Sequence, residues 1–223
     1  MRSHIFKDQI YEQFARIGKA VASPHRLEIL DLLCQGEKTV EEIAAHSRLD
    51  IKNASAHLKV LRSARLLESR RNGKNVFYRL ADPAVSAFWL SLRSLAARRL
   101  TEIREAVDAY FERAPDMQPL DRKTLLTKAR RGDVVVLDVR PADEFATGHL
   151  PYARSLPLAE LKHELSTLPR RKEIVAYCRG PYCVLSYEAV EFLRRRGFRA
   201  TRLDDGVPEW ESAGFPVLRK AAS

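Results

Sequence analysis

Residues 39–62 read TVEEIAAHSRLDIKNASAHLKVLR, and this stretch decides the fold of the first half of the chain. Thr39 followed by Glu42 is a capping box: hydroxyl and carboxylate each satisfy a free backbone N–H at a helix start. Val40, Ile43 and Ala44 give that short helix an apolar side. After the turn Ser47-Arg48-Leu49, Asp50 caps a second helix over 51–64, whose buried stripe is expected at Ile51, Ala54, Leu58 and Leu61. Its other faces carry Lys52, Asn53, Ser55, His57, Lys59 and Arg62. Two short helices, a tight turn and a polar second helix make a helix-turn-helix, with the second helix sized for a DNA major groove.

Upstream, Ser23-Pro24 is a helix start, with Ser as cap and Pro at the first helical position. Leu27, Ile29, Leu30 and Leu33 follow at helical spacing, and Gly36 ends the run. Downstream, strand-like runs at 66–70 and 76–80 flank Arg71-Asn72-Gly73-Lys74-Asn75, where Asn-Gly supplies the positive φ of a tight turn. The hairpin tip is basic, as a wing that reaches phosphates would be. Residues 83–113 read as one long helix with Val85, Trp89, Leu92, Ala96, Leu100, Ile103, Val107 and Tyr110 at spacings of three and four. So long an apolar stripe needs a partner surface. A homodimer through this helix and the first one (Phe6, Ile10, Phe14, Ile17) meets that need, and its two recognition helices would face a palindromic site.

The bulk numbers agree with this direction. The chain has 223 residues, 45% hydrophobic and 30% charged, which excludes a disordered chain. Its formal charge of +10 favours a polyanionic partner. Residues 48–79 hold nine Lys/Arg against two acidic residues, a local excess of +7. No apolar run reaches the roughly 18 residues of a membrane span, and the first 20 residues lack a signal-peptide core, so no membrane partner and a cytoplasmic location are expected. Three cysteines, an odd number, argue against a disulfide framework.

Residues 6–112 resemble the ArsR/SmtB family of winged-helix repressors. The resemblance rests on Ser55-Ala56-His57-Leu58-Lys59-Val60-Leu61-Arg62, then Ala64-Arg65-Leu66-Leu67 leading into the wing. It implies a dimeric repressor released from a double-stranded DNA operator by an inducer. Metal-sensing members carry a C-V-C motif before the recognition helix or His and acidic ligands on the last helix; this chain has neither. Cys34, His25 and His46 do not make a zinc ligand set, and no metal site or other cofactor is expected. Lys52, Asn53 and His57 are the base-edge candidates. Ser55, Lys59, Arg62, Arg70, Arg71 and Lys74 are the phosphate candidates.

Pro115 and Pro119 interrupt helical periodicity, which sets a linker at 114–119 between a first domain, 1–113, and a second, 120–223. The second half alternates strand-like and helical runs, the pattern of an α/β domain with a parallel sheet. Residues 134–139 (VVVLDV) and 172–177 (KEIVAY) suit strands covered on both faces. The latter runs into Cys178-Arg179-Gly180-Pro181-Tyr182-Cys183 and then a helix. A thiol before a helix N-terminus meets unpaired N–H groups and partial positive charge, which favour the thiolate, and Arg179 adds formal charge. Residues 118–220 resemble a single rhodanese domain, through Leu137-Asp138-Val139-Arg140, Glu144-Phe145, Gly148-His149-Leu150-Pro151, the Cys178 loop, Asp205-Gly206 and Trp210. This resemblance implies a sulfur-accepting nucleophile at Cys178 and a cradle of N–H groups from Arg179, Gly180, Pro181, Tyr182 and Cys183. Asp138, Arg140 and His149 then brace loops, and Trp210 belongs to the core. Many rhodaneses end the loop with a basic residue; here Cys183 stands there, a resolving thiol able to attack a persulfide on Cys178.

Three functions follow from this reading. The first joins the halves: a repressor whose rhodanese-like domain senses or transfers sulfane sulfur from a small donor. The second is a rhodanese-type sulfurtransferase with the DNA-binding half in a regulatory role. The third is a metalloid sensor using Cys178 and Cys183 as ligands.

Overall fold

The computed structural model describes residues 2–111 and 120–219, so the expected linker 114–119 lies outside the described residues. The chain divides into two compact units, Met1–Leu92 and Arg93–Ser223.

The first unit holds α1 (Arg2–Val21), α2 (Pro24–Leu33), β1 (Lys38–Thr39), α3 (Val40–His46), α4 (Ile51–Ser63), β2 (Leu67–Asn72), β3 (Asn75–Leu80) and the start of α5 (Pro83–Arg99). Both side chains of the capping box are engaged at Thr39 and Glu42, and the Asp50 carboxylate accepts the Asn53 N–H at 2.7 Å. These caps fix where α3 and α4 begin, and hence the angle at which α4 is presented. Ile29, Leu30, Leu33, Ile43, Leu58 and Leu61 form the core between the helices. The strands make an antiparallel sheet in the order β1-β3-β2.

Four local expectations are corrected. Ser23 makes no side-chain cap; instead Arg26 reaches back to the carbonyls of Ala20 and Lys19 at 2.5 and 3.0 Å, satisfying the end of α1. Ile51 is 53% exposed rather than buried, because it sits on the first turn of α4, ahead of the positions that meet α2 and α3. The hairpin pairs Asn72 with Asn75, so the central residues are Gly73 and Lys74, with only Gly73 at positive φ (60°). That is the requirement of a turn with glycine first, one residue later than an Asn-Gly turn. Over the described residues 83–111 the expected single helix is two, α5 and α6 (Thr101–Phe111), interrupted at Leu100, and residues 112–113 of that expectation lie outside the described residues. Arg98 and Arg99 close the last turn of α5 and Glu102 opens α6, each charge favourable at its helix end.

The second unit holds the rest of α5, α6, α7 (Arg122–Arg131), β4 (Val134–Asp138), α8 (Ala142–Thr147), β5 (Ala153–Ser155), α9 (Leu158–Leu161), β6 (Glu173–Tyr177), α10 (Val184–Arg194), β7 (Ala200–Arg202) and α11 (Val207–Ser212). Its four strands run in the order β5-β4-β6-β7, and every neighbouring pair is parallel. Alternate residues of β6 enter opposite cores. Ile174 and Ala176 pack with Ala189, Val190 and Leu193 of α10, whereas Val175 and Tyr177 pack with Leu125 and Trp210 on the other face. Both faces are covered, as a parallel sheet requires. Beneath the carboxyl ends of the strands, Arg140 and Asp138 form a buried ion pair at 2.6 Å. Arg140 also donates to the Gly148 carbonyl at 2.7 Å, and the Tyr177 hydroxyl donates to Asp138.

Candidate functional site

Cys178 directly follows β6, in step with Ile174 and Ala176, so its side chain turns toward α10 and joins that core cluster. It is only 1% exposed. Its thiol lies 3.2 Å from the hydroxyl of Ser186, itself buried, and 3.4 Å from the Cys183 carbonyl. Cys183 occupies the N-cap of the eleven-residue α10 and is half-buried. Hydrogen bonds from the Cys178 thiol and from the N–H groups of Arg179 and Leu185, with the Arg179 charge, hold the Cys183 thiol below the usual range against the opposing effect of burial. Burial first, then the neighbouring Cys183, pushes the Cys178 thiol well up, with Ser186 opposing. Of the two thiols, Cys183 is therefore the more readily ionised.

The loop is clamped from outside. Arg179 donates to Glu144 at 2.7 Å, and Glu144 is 1% exposed. The guanidinium is thus committed to a carboxylate, which weakens the free charge that the sequence assigns to it. The Cys183 N–H donates to the Gly180 carbonyl at 3.1 Å, so this member of the expected cradle closes a turn. Gly180 has φ of 140°, a conformation glycine alone adopts readily. Gly206 is required for space: a Cβ there would lie 2.5 Å from the carbonyl of Arg179. The Glu209 carboxylate accepts the Gly206 N–H at 2.7 Å, pairs with Arg93 and lies against Gly180. Tyr182 is exposed, with the Arg93 guanidinium 5.9 Å above its ring; Pro181 lies beside it in the turn.

His149 is tied to its own turn after α8. Its Nδ1 lies 2.9 Å from the Phe145 carbonyl, and its ring stacks on Phe145 at 3.8 Å. Trp210 is buried and donates to the Pro216 carbonyl at 3.0 Å. Ser186, Glu144 and Glu209 complete the surroundings of the two thiols. Ser186 had a usable signal, a hydroxyl on the first turn of the helix that the loop feeds. The carboxylates reach the loop from 35 and 29 positions away from Arg179 and Gly180, which leaves no local trace.

In the first unit, Lys52, Asn53, Ser55, Lys59 and Arg62 are exposed on α4, and His57 is half-buried. The Asn53 amide donates to Asp50 at 2.7 Å. The His57 ring lies 5.5 Å from that of His25; burial, then the charges of Arg26 and His25, lower its proton affinity. On the hairpin, Arg70 is held by Glu37, Arg71 donates to the Gly73 carbonyl at 3.2 Å, and Lys74 is exposed in the turn. Among the described residues no group of three or more His, Cys, Asp or Glu could hold a metal ion, and no helix is long and apolar enough to cross a membrane.

Comparison with known proteins places both halves. The family model "Bacterial regulatory protein, arsR family" matches residues 23–69, and "Rhodanese-like domain" matches residues 121–213. The HTH-type transcriptional regulator Rv0324 of Mycobacterium tuberculosis is 41% identical over 211 residues, covering 95% of this chain and 92% of that protein. A sulfurtransferase of Allochromatium vinosum is 32% identical over 87 residues, 39% of this chain and 79% of that one. Among solved structures, the homodimeric winged helix-turn-helix domain Mb0332 of Mycobacterium bovis is 41% identical, with a TM-score of 0.41 over 42% of this chain and 87% of that chain. A rhodanese-related protein of Thermoplasma volcanium is 27% identical, with a TM-score of 0.41 over 45% of this chain and 97% of that chain. A relative that matches nearly end to end settles the family: the chain belongs to the arsR family of bacterial transcriptional regulators and carries a rhodanese-like domain in its second half.

Proposed function

We propose that the protein is a cytoplasmic, dimeric repressor whose operator affinity is set by sulfane sulfur captured at Cys178 and Cys183. The observation that carries this reading is the thiol pair itself: two cysteines joined through one hydrogen-bonded cluster with Ser186, in a chain whose other half is an arsR-family regulator. The captured sulfur rests as a persulfide on Cys178, or the two sulfurs close into a bridge that expels sulfide. Either product adds bulk or a covalent tie inside a core cluster, which cannot absorb it without movement.

The DNA-binding half works as a two-fold dimer in this reading, with residues 1–113 as the dimer and operator domain, 114–119 as linker and 120–223 as the sulfur domain. Ile5, Phe6, Tyr11 and Phe14 of α1 are large, apolar and exposed, which supports a second copy there. Lys52, Asn53 and His57 read base edges, while Ser55, Lys59, Arg62, Arg70, Arg71 and Lys74 meet phosphates. The decisive measurement is operator binding by fluorescence anisotropy, with and without inorganic polysulfide, for wild type, Cys178→Ser and Cys183→Ser. Polysulfide is expected to shift only the wild-type affinity by tenfold or more. An equal shift in all three proteins would remove the thiol pair from the mechanism.

A second reading is favoured by the similarity to the Allochromatium vinosum sulfurtransferase: the second half turns over sulfur catalytically. Sustained transfer from thiosulfate or a persulfide to a thiol acceptor, with operator affinity unchanged, would select it.

A further inference from the structure

We propose that sulfur enters this site at Cys183, at the mouth of the loop, and is then passed inward to Cys178. The proposal rests on the sulfane-sulfur reading above and reverses the order of the two thiols that the rhodanese resemblance implies. Three independent features of the geometry support it.

The first is access. The parity of β6 puts Cys178 on the side of Ile174 and Ala176, against Ala189 and Val190, with 1% of its surface open. A donor in solution cannot bring a sulfur into line behind it without opening the loop. Cys183 retains exposed surface. The second is the placement of the two sulfurs. Cys178 lies in the apolar layer beside the Cys183 carbonyl and the Ser186 hydroxyl, and burial there disfavours its anion. Cys183 sits at the N-cap of the eleven-residue α10, where the partial positive charge of the helix end favours an anion. The thiolate is the attacking species, so the first bond forms at Cys183. The third is the destination. Ser186 is buried and its hydroxyl sits 3.2 Å from the Cys178 sulfur, a polar partner beside the receiving atom in an otherwise apolar layer.

The chemistry closes with an organic hydropersulfide as donor. The Cys183 thiolate attacks the outer sulfur of R–S–S–H. The donor's S–S bond breaks, R–S takes the proton and leaves as R–SH, and Cys183 carries –S–S⁻. The Cys178 sulfur then attacks the outer sulfur of that persulfide, giving Cys178–S–S⁻, while the Cys178 proton passes to the released Cys183 sulfur. No electrons are lost or gained overall, because one sulfane sulfur moves between thiols.

The test is rapid-quench mass spectrometry of the full chain mixed with glutathione persulfide. The added sulfur is mapped to each cysteine over time. Wild type is expected to show it first on Cys183 and later on Cys178. Cys178→Ser, which keeps a hydroxyl donor toward Cys183, is expected to hold the sulfur on Cys183. Cys183→Ser is expected to load Cys178 at least tenfold more slowly than wild type, and Cys183→Ala provides the same arm without a new hydroxyl. Wild-type labelling with a limiting amount of iodoacetamide needs no substitution and is expected to mark Cys183 first. Loading of Cys178 at the wild-type rate in either Cys183 variant, or first labelling of Cys178, would overturn the proposal. Operator affinity is read in the same samples. Ordered loading without any change in affinity sinks the sensing function and leaves the order standing, whereas changed affinity with Cys178 loaded first does the reverse.

Discussion

Cys178→Ala is the perturbation whose size can be worked out from the site. The foremost contribution lowering the Cys183 thiol, to about 7, is the hydrogen bond from the Cys178 thiol. A hydrogen bond to a charged group contributes about 1.5–3 kcal/mol, or roughly one to two pKa units at 1.36 kcal/mol each. Alanine removes the donor, so the Cys183 midpoint should rise to roughly 8–9. At pH 7 the thiolate fraction then falls by roughly five- to fiftyfold, while the more basic thiolate becomes roughly three- to eightfold more nucleophilic. The two effects combine into crossing profiles. Alkylation of Cys183 slows by roughly two- to sixfold at pH 7, whereas its plateau at high pH rises. Cys178→Ser, with a hydroxyl in place of the thiol, should fall between wild type and alanine. The assay is the iodoacetamide rate at Cys183, followed by peptide mass from pH 5 to 10. A midpoint that stays put in Cys178→Ala would refute the hydrogen-bonded pair as the cause of Cys183's acidity.

Four further outcomes are expected. Arg140→Met leaves the Asp138 carboxylate buried beside Tyr177 with its cation gone; urea unfolding should show a loss of about 3–5 kcal/mol, and a loss under 1 would contradict the role given to the pair. Gly206→Ala forces a methyl to within 2.5 Å of the Arg179 carbonyl; overpacking should cost about 1–3 kcal/mol, and displacement of the loop should slow sulfur loading measured by mass. Arg71→Ala should weaken all DNA sequences alike and lower the salt slope of binding by roughly one unit, whereas Arg70→Ala, already neutralised by Glu37, should lower it less. Phe14→Glu places charge on the apolar face of α1; sedimentation should show monomer, and an unchanged dimer would move the interface elsewhere.

What was legible in the sequence divides along the range of the forces involved. Thr39 with Glu42, and Asp50 with Asn53, act within one helical turn, so their spacing alone gave the boundaries of the helix-turn-helix. The α/β pattern of the second half was readable for the same reason, because β-branched runs such as 134–136 can be buried on both sides only in a covered sheet. The failures occurred where two local options differ by little. Asn72-Gly73 and Gly73-Lys74 are both acceptable turn centres, and the pairing of β2 with β3 chose the latter. Leu100 continues the apolar spacing of α5, yet the helix stops there, since spacing reports which side is apolar and not where the backbone bends.

The cysteine loop shows the same division more sharply. Its strand-loop-helix setting points to a reactive thiol, but that setting alone does not rank Cys178 against Cys183, whereas strand parity does. In a strand, residues two apart share a face. Ile174 and Ala176 are plainly core residues, so Cys178 had to point into the same apolar layer unless the chain twisted at once. A thiol in that layer is disfavoured as an anion, while five residues on the chain re-emerges at a helix cap, where an anion is welcome. The inequality between the two sulfurs thus follows from parity and position alone. What parity could not supply is the hydroxyl of Ser186 facing the inner sulfur, or the grip of Glu144 on Arg179, both of which exist only once α8 and α10 have packed against the sheet. Glu144 decides that the loop's formal charge is already satisfied. The acidity of the outer thiol is therefore left mainly to hydrogen bonds, and hydrogen bonds can be removed one at a time by substitution.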